Sequence, residues 1–405
     1  MSLAAALRHP AWLTRERVRA YTIIVIVVEL LGLGLVAGRT YGLFLPIDPP
    51  TSLDYMSFQA AGTLADSGLA ASAYNEKILG QTEKDLYGDQ RIPLFGFYYP
   101  PVFALLCAVL ALLPFTLSYL MFMAATALAY VIVLRGTIRD PLILAALATF
   151  PAAFFTLIVG QNAFLTTALL GGGLLLLDRR PILAGILFGA MCYKPHFLIL
   201  VPVALIAGAH WRALLVAAAT GAVLTLLSLV LFGWGAWLAF LTNILFAQSV
   251  FESGRVGFHY LVSIYGGVRL VGGGNAVALG LQALASIGAA VAVGIVWYRR
   301  AELALRASVL IAGTLVAVPV ILFYDLLPAT VALAWLIQDA RRRGWLPWEK
   351  LIICAMWPVA LLCRGVGEKT HIPTGWLIPV ALLALALLHA RRARALSTVE
   401  RGEKV

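Results

Sequence analysis

Asp54 opens the longest polar stretch of this chain, Ser52 to Asn75 (SLDYMSFQAAGTLADSGLAASAYN), at the outer end of the first apolar segment. A carboxylate there can take a proton from a hydroxyl. It can equally cap the helix that follows, by accepting that helix's orphan amide hydrogens. Tyr193-Lys194-Pro195-His196 sets a lysine and a histidine two residues apart at a proline break. Lysine serves as a point charge for phosphate, and a helix start attracts anions. The competing reading of Lys194 is a side chain snorkelling from a span end. Gly160-Gln161-Asn162 interrupts two apolar runs, and amides are costly near a bilayer unless something uses them. Tyr98-Tyr99-Pro100-Pro101 starts a helix rigidly, since proline is tolerated in a first turn; its tyrosines suit a hydroxyl placed beside Asp54 or an aromatic belt. Tyr324-Asp325 lies between two apolar runs, as a functional acid or as a helix cap. Arg255 and His259, and Arg364, Glu368, Lys369 and His371, are boundary groups able to meet a lipid phosphate or to stay solvated.

The elements that must carry these residues are membrane helices. Of 405 residues, 62% are hydrophobic and only 12% charged, with a mean hydropathy of +0.93. A soluble chain carries about twice that charge. The apolar runs are continuous, which excludes a β-barrel and leaves an all-α polytopic membrane protein of a single domain, 1–405. Candidate spans are 20–38, 101–113, 117–135, 141–158, 162–177, 181–193, 196–209, 212–232, 276–298, 307–323, 326–338, 351–363 and 375–390, a bundle of about 12–13 helices. The first has no cleavage pattern and reads as a span with its N-terminus inside. The segment 233–275 is semi-polar and reads as a re-entrant or interfacial helix pair; 391–405 reads as a cytoplasmic tail, disordered after Arg394.

The net charge of +11 is not a nucleic-acid signature. Arginines cluster between spans, at Arg15, Arg17 and Arg19, at Arg179 and Arg180, at Arg299 and Arg300, at Arg341 to Arg343, and at Arg391, Arg392 and Arg394. Such clusters mark cytoplasmic loops. The stretch 39–99 is instead acid-rich, with Asp48, Asp54, Asp66, Glu76, Glu83, Asp85 and Asp89 against Arg39, Lys77, Lys84 and Arg91, and is expected on the opposite, extracytoplasmic side. The crossing parity between 101 and 160 stays open: either 141–158 is two half-helices broken at Pro151, or Arg135 and Arg139 lie outside. Cys107, Cys192, Cys354 and Cys363 have no metal spacing and read as small core residues. There is no phosphate-binding glycine loop and no dinucleotide fingerprint, so no cofactor and no metal is expected.

Taken in order, DYMSFQAAG (Asp54 to Gly62) with Ala73-Tyr74, FYYPPVFALL, GQNAFLTTALLGGGLLLLDRRPILAGILFG and YKPHFLILVPVAL resemble glycosyltransferase family 87 from about residue 20 to about residue 340. That family includes polyprenol-phosphate-mannose-dependent α-mannosyltransferases. The resemblance implies a GT-C fold with a large first outer loop, a polyprenyl-phosphate-hexose donor, a metal-independent reaction and a catalytic acid that falls on Asp54. This chain has one acid there, not the adjacent pair of metal-using GT-C relatives.

The expectation is therefore a hexosyltransferase of the bacterial cell membrane, with mannose the first choice of sugar and a lipid or glycan as acceptor, acting on the extracytoplasmic face with inversion. Asp54 is the general base. Lys194 and His196 are first choices for the donor phosphate, with Arg255, His259, Arg364 and His371 in support. Tyr98, Tyr99, Gln161, Asn162, Tyr324 and Asp325 are assigned to the sugar. Besides donor and acceptor, the partners are membrane lipids, and no nucleic acid. The rivals are a lipid or small-solute transporter, which would carry its polar residues near the bilayer midplane, and a non-catalytic assembly protein.

Overall fold

The computed structural model describes residues 7–8, 10–37, 54–88 and 92–400. Arg39, Asp48, Asp89 and Arg91 of the acid-rich stretch lie outside the described residues. Among these the protein is all-α, with seventeen α-helices and a single isolated bridge, Leu261 to Leu322. The long apolar helices are α1 (Arg15–Ala37), α5 (Phe115–Thr137), α11 (Trp211–Glu252), α13 (Asn275–Tyr298) and α16 (Glu349–Thr370). These five are long and apolar enough to cross a membrane alone. Taken together as one span, α6 (Pro141–Ala148) and α7 (Pro151–Val159), bent by 47° at their junction, pass the same test of length and apolarity. Pro151 starts α7 in its first turn, where its missing N–H costs nothing.

Most of the other expected spans are short apolar helices: α4 (Pro101–Ala111), α8 (Ala163–Leu176), α9 (Pro181–Ala190), α10 (Val201–Ala207) and α14 (Leu303–Ala317). Two more, α15 (Ala329–Arg343) and α17 (Leu377–Glu400), complete the C-terminal bundle. The long α1 and α11 lie at the periphery, and the short α14 and α15 in the interior. The apolar stretches of α1 and α11 are only 6% buried, whereas α14 is buried from Leu305 onward and α15 nearly throughout. At 1.5 Å per residue α14 rises roughly 22 Å, against roughly 30 Å of hydrocarbon.

Hydrogen bonds sort the helix ends into two faces. On one, Arg15 and Arg341 both donate to Asp140 (2.7 and 3.0 Å), Arg306 donates to Asp178 (2.5 Å), and Arg342 donates to Glu302 (2.9 Å). Every arginine cluster noted above adjoins this face. The two guanidiniums hold the Asp140 carboxyl well below the usual carboxylate range. Arg135 and Arg139, beside Asp140 in the chain, lie at this face too; the parity question is answered not by the bend at Pro151 but by the segment 101–113, which does not cross.

The segment 101–113 differs from the sequence reading. Both ends of α4 are tied to the start of α2 (Tyr55–Asp66). Phe58 meets Tyr99 edge-on at 5.5 Å, and Gln59 Nε2 donates to the Leu113 carbonyl (2.8 Å). Helix α4 thus lies against one face instead of carrying the chain across. Close approach to α2 requires Gly62, where a Cβ would sit 2.1 Å from the Cys107 carbonyl oxygen.

The semi-polar segment 233–275 holds two helices: α11 is kinked at the non-helical Gly233 (φ 74°, ψ 168°), its part beyond the kink runs to Glu252, and the short α12 (Ile264–Leu270) follows. One further expectation is corrected. The tail is helical through Glu400, because its residues after Arg394 include no glycine or proline until Gly402.

Candidate active site

At the face opposite the arginine clusters the short interior helices end around a cavity of about 880 Å³. Its floor is the set of polar breaks seen in the sequence. Asp54 stands before α2, and its backbone N–H donates to the Val159 carbonyl at the end of α7 (2.7 Å). Its carboxylate makes no capping bond to the helix. Instead Oδ2 accepts from Gln161 Nε2 (2.7 Å). Gly160 makes that approach possible: it ends α7 at φ 74°, and a Cβ there would lie 2.6 Å from the Tyr55 Cβ. Burial pushes the Asp54 carboxyl up to about 6, partly offset by the Gln161 hydrogen bond. A carboxylate so tuned is ionised at neutral pH yet a stronger base than a solvated aspartate.

Gln161 is fixed from its other end, since Tyr99 O–H donates to its Oε1 (3.0 Å). Asn162, one residue on, reaches the opposite way: its Oδ1 accepts from Lys194 Nζ (3.1 Å). Lys194 Nζ also donates to Asp325 Oδ1 at 2.6 Å, and both side chains are at most 4% exposed. Asp325 Oδ2 accepts from the Leu322 amide (3.3 Å), so Asp325 is at once a cap and an ion-pair partner. A buried pair of this kind is held by mutual attraction against a large desolvation cost. The Lys194 charge is thereby spoken for, and the residue is neither a snorkelling lysine nor a free cation.

The structure brings Asp54, Tyr98, Tyr99, Gln161, Lys194, His196, Tyr324, Asp325 and Arg364 to the cavity wall. Asn162 lies behind it, fully buried. Arg255, His259 and His371 are not among the lining residues. Arg255 is exposed, 3.9 Å from Glu76; the His259 ring lies tilted 4.4 Å from that of Tyr260; His371 ends α16 in the left-handed region, exposed. Arg364 is the cation facing the cavity without a described carboxylate partner. Its guanidinium lies 4.5 Å from the Tyr260 ring centre and donates to the Tyr260 hydroxyl (3.0 Å).

Sequence reasoning missed Gln248 and Glu252, which line the cavity from α11 and are joined by a 2.8 Å hydrogen bond. The available signal was a polar pair at i, i+4 in an otherwise apolar helix, a spacing that puts both on one side. Much of the remaining wall, with Phe240, Ile244, Phe251 and Leu279, is apolar. Among the described residues no three His, Cys, Asp or Glu side chains are grouped to hold a metal ion.

Fold and site together define a multi-pass membrane protein with a one-sided, acid-containing cavity half lined by apolar side chains. A family model, Glycosyltransferase family 87, matches residues 97–321. The chain belongs to that family, and it is a membrane glycosyltransferase. No curated protein and no solved structure matches it. The match is shorter than the 20–340 the motifs suggested. It contains Gln161, Lys194 and His196 but leaves Asp54, Asp325 and Arg364 outside, so their assignment rests on geometry.

Proposed function

We propose that this cavity transfers a hexose, mannose in the first instance, from a polyprenyl-phosphate donor to a hydroxyl of a lipid or glycan acceptor, with inversion. Asp54 takes the proton of the acceptor hydroxyl as that oxygen bonds to the anomeric carbon. The bond from that carbon to the phosphate oxygen breaks, and its electron pair leaves on the phosphate. A positioned base contributes about 10²–10⁴-fold. Arg364 now takes the first role toward the growing phosphate charge, with His196 beside it. Lys194, paired with Asp325, shapes the floor and holds Asn162. Tyr98, Tyr99, Gln161 and Tyr324 border the space for the sugar.

The observation that carries this reading is that one cavity holds both Asp54, its carboxylate fixed by Gln161, and the Arg364 guanidinium. A lipid-linked donor is supported by the apolar wall, which is continuous with membrane-exposed residues of α11 such as Leu241 and Leu245. The arginine-rich opposite face supports a cytoplasmic assignment for that side and an extracytoplasmic one for the cavity, in a GT-C-type bundle of a bacterial cell membrane. The test is sugar transfer from radiolabelled polyprenyl-phospho-mannose, with native lipid extract as acceptor and chelator present. Wild type should transfer, and Asp54→Asn should lose at least about 10²-fold. Full activity in that variant removes Asp54 from the mechanism. No transfer by wild type across a panel of lipid-linked sugars would bring the transporter reading forward.

A further inference from the structure

A second cavity, of about 660 Å³, lies at the arginine-rich face between α1, α6, α15 and α16. Its size falls in the roughly 300–1,000 Å³ range of small-molecule sites. It exists because α1 packs chiefly along α6 and α7, which leaves space toward α15 and α16. Its depth is apolar, with Val25, Leu142, Ile143, Trp357 and Pro358 among the lining side chains. Its rim is basic and aromatic, carrying Trp12, Arg15, Arg341, Trp345 and Lys350.

The charges at the rim do not cancel. Arg15 binds Asp140 through two N–H groups (2.7 and 3.1 Å) and Arg341 through one (3.0 Å). One carboxylate therefore serves two guanidiniums, each with five N–H donors and several to spare. Both remain reachable, their side chains 58% and 40% exposed. Lys350 adds a third positive charge, 5.2 Å from the Trp345 ring centre. Among the described residues it has no carboxylate within salt-bridge distance. A rim with surplus positive charge above an apolar slot matches one chemistry, a phosphodiester carrying acyl chains. Tryptophans at the same level suit the headgroup boundary.

We propose that this groove binds an anionic phospholipid of the leaflet at the arginine-rich face, its phosphate on Arg15, Arg341 and Lys350 and an acyl chain between α1 and α16. The site is distinct from the candidate active site. The bent pair α6–α7 separates them, running from Asp140 at this rim to Val159, which holds the Asp54 amide. Its nineteen residues, 141–159, cover at most roughly 28 Å. A lipid seated here fastens α1 to the bundle.

The experiment measures thermal stability of the full chain in phosphatidylcholine nanodiscs containing increasing phosphatidylglycerol. Each rim cation removed weakens binding about five-fold, so the Arg15→Gln/Lys350→Gln pair should need about 25-fold more phosphatidylglycerol for half the stabilisation. Lys350→Gln alone leaves the Asp140 bonds intact and should need about five-fold more. Arg179→Gln/Arg180→Gln, at the same face but outside the groove, should behave as wild type. The proposal is overturned if wild type does not respond to phosphatidylglycerol, if the groove variants respond like wild type, or if inorganic phosphate reproduces the full effect. None of these readouts depends on sugar transfer.

Discussion

Replacing Gln161 by leucine isolates the interaction that sets the Asp54 carboxyl. The 2.7 Å hydrogen bond from Gln161 Nε2 stabilises the ionised form against burial, and the net of the two raises the Asp54 pKa to about 6. Removing the donor leaves the burial and takes away the offset, so the pKa must rise further. A hydrogen bond to a charged group is worth about 1.5–3 kcal/mol, and one pKa unit is about 1.4 kcal/mol. The expected shift is therefore roughly 1–2 units. If Asp54 is the base, it works only when ionised, so kcat/KM falls as pH drops through its pKa. Wild type should show this acid limb near 6, and Gln161→Leu roughly at 7–8. At about pH 6 the variant should lose roughly 5- to 50-fold, and at about pH 9 the loss from ionisation should vanish. The assay is initial-rate transfer from the polyprenyl-phospho-sugar across that pH range, with folding checked by thermal unfolding because leucine also strands the Tyr99 hydroxyl. Gln161→Glu, which sets a second carboxylate beside Asp54, should move the limb upward as well. A limb that stays near 6 in both variants, with a uniform loss of rate, would refute the argument.

Breaking the Lys194–Asp325 pair singly, by Lys194→Met or Asp325→Leu, should cost about 3–5 kcal/mol by leaving a buried charge alone, whereas the double variant should recover most of that in thermal unfolding. Arg364→Ala should weaken donor binding at least about ten-fold while Arg255→Ala, outside the cavity, leaves it unchanged; titration with a non-hydrolysable polyprenyl phosphate distinguishes them. Gly62→Ala should separate α2 from α4, since the new Cβ would meet backbone at 2.1 Å, and cost about 1–3 kcal/mol, read as a lower unfolding midpoint.

Much of the cavity floor could be named before any coordinates because polar residues are conspicuous in so apolar a chain. Asp54, Gln161, Lys194 and Asp325 each stood at a break between apolar runs. Their bonding could not be read the same way. Lys194 and Asp325 are 131 residues apart, and nothing local tells a lysine free to bind phosphate from one already committed to a buried acid. Gln248 and Glu252 were hidden by the opposite problem, since a polar i, i+4 pair usually marks a solvated helix side. Helix identity was legible from apolar runs, but span membership was not. The run 101–111 is as apolar as its neighbours, and only the bonds at both its ends reveal that it stays at one face.

The contrast between tall outer helices and the shorter α14 within has an electrical consequence. If α14 begins level with the membrane surface at the arginine-rich face, its rise of roughly 22 Å in a layer roughly 30 Å thick leaves the cavity floor about a quarter of the layer below the opposite surface. Water entering the pit carries the outside potential inward, so the transmembrane voltage falls over the remaining distance and the field across the bundle below is steepened. A unit charge crossing the whole layer experiences about 2.3 kcal/mol per 100 mV. If part of the drop instead spreads over the pit, an anion descending to the Asp54 level experiences up to about 0.6 kcal/mol per 100 mV. Under that condition a recessed site of this shape couples the occupancy of a charged substrate weakly to the energised state of the membrane, without any dedicated voltage sensor.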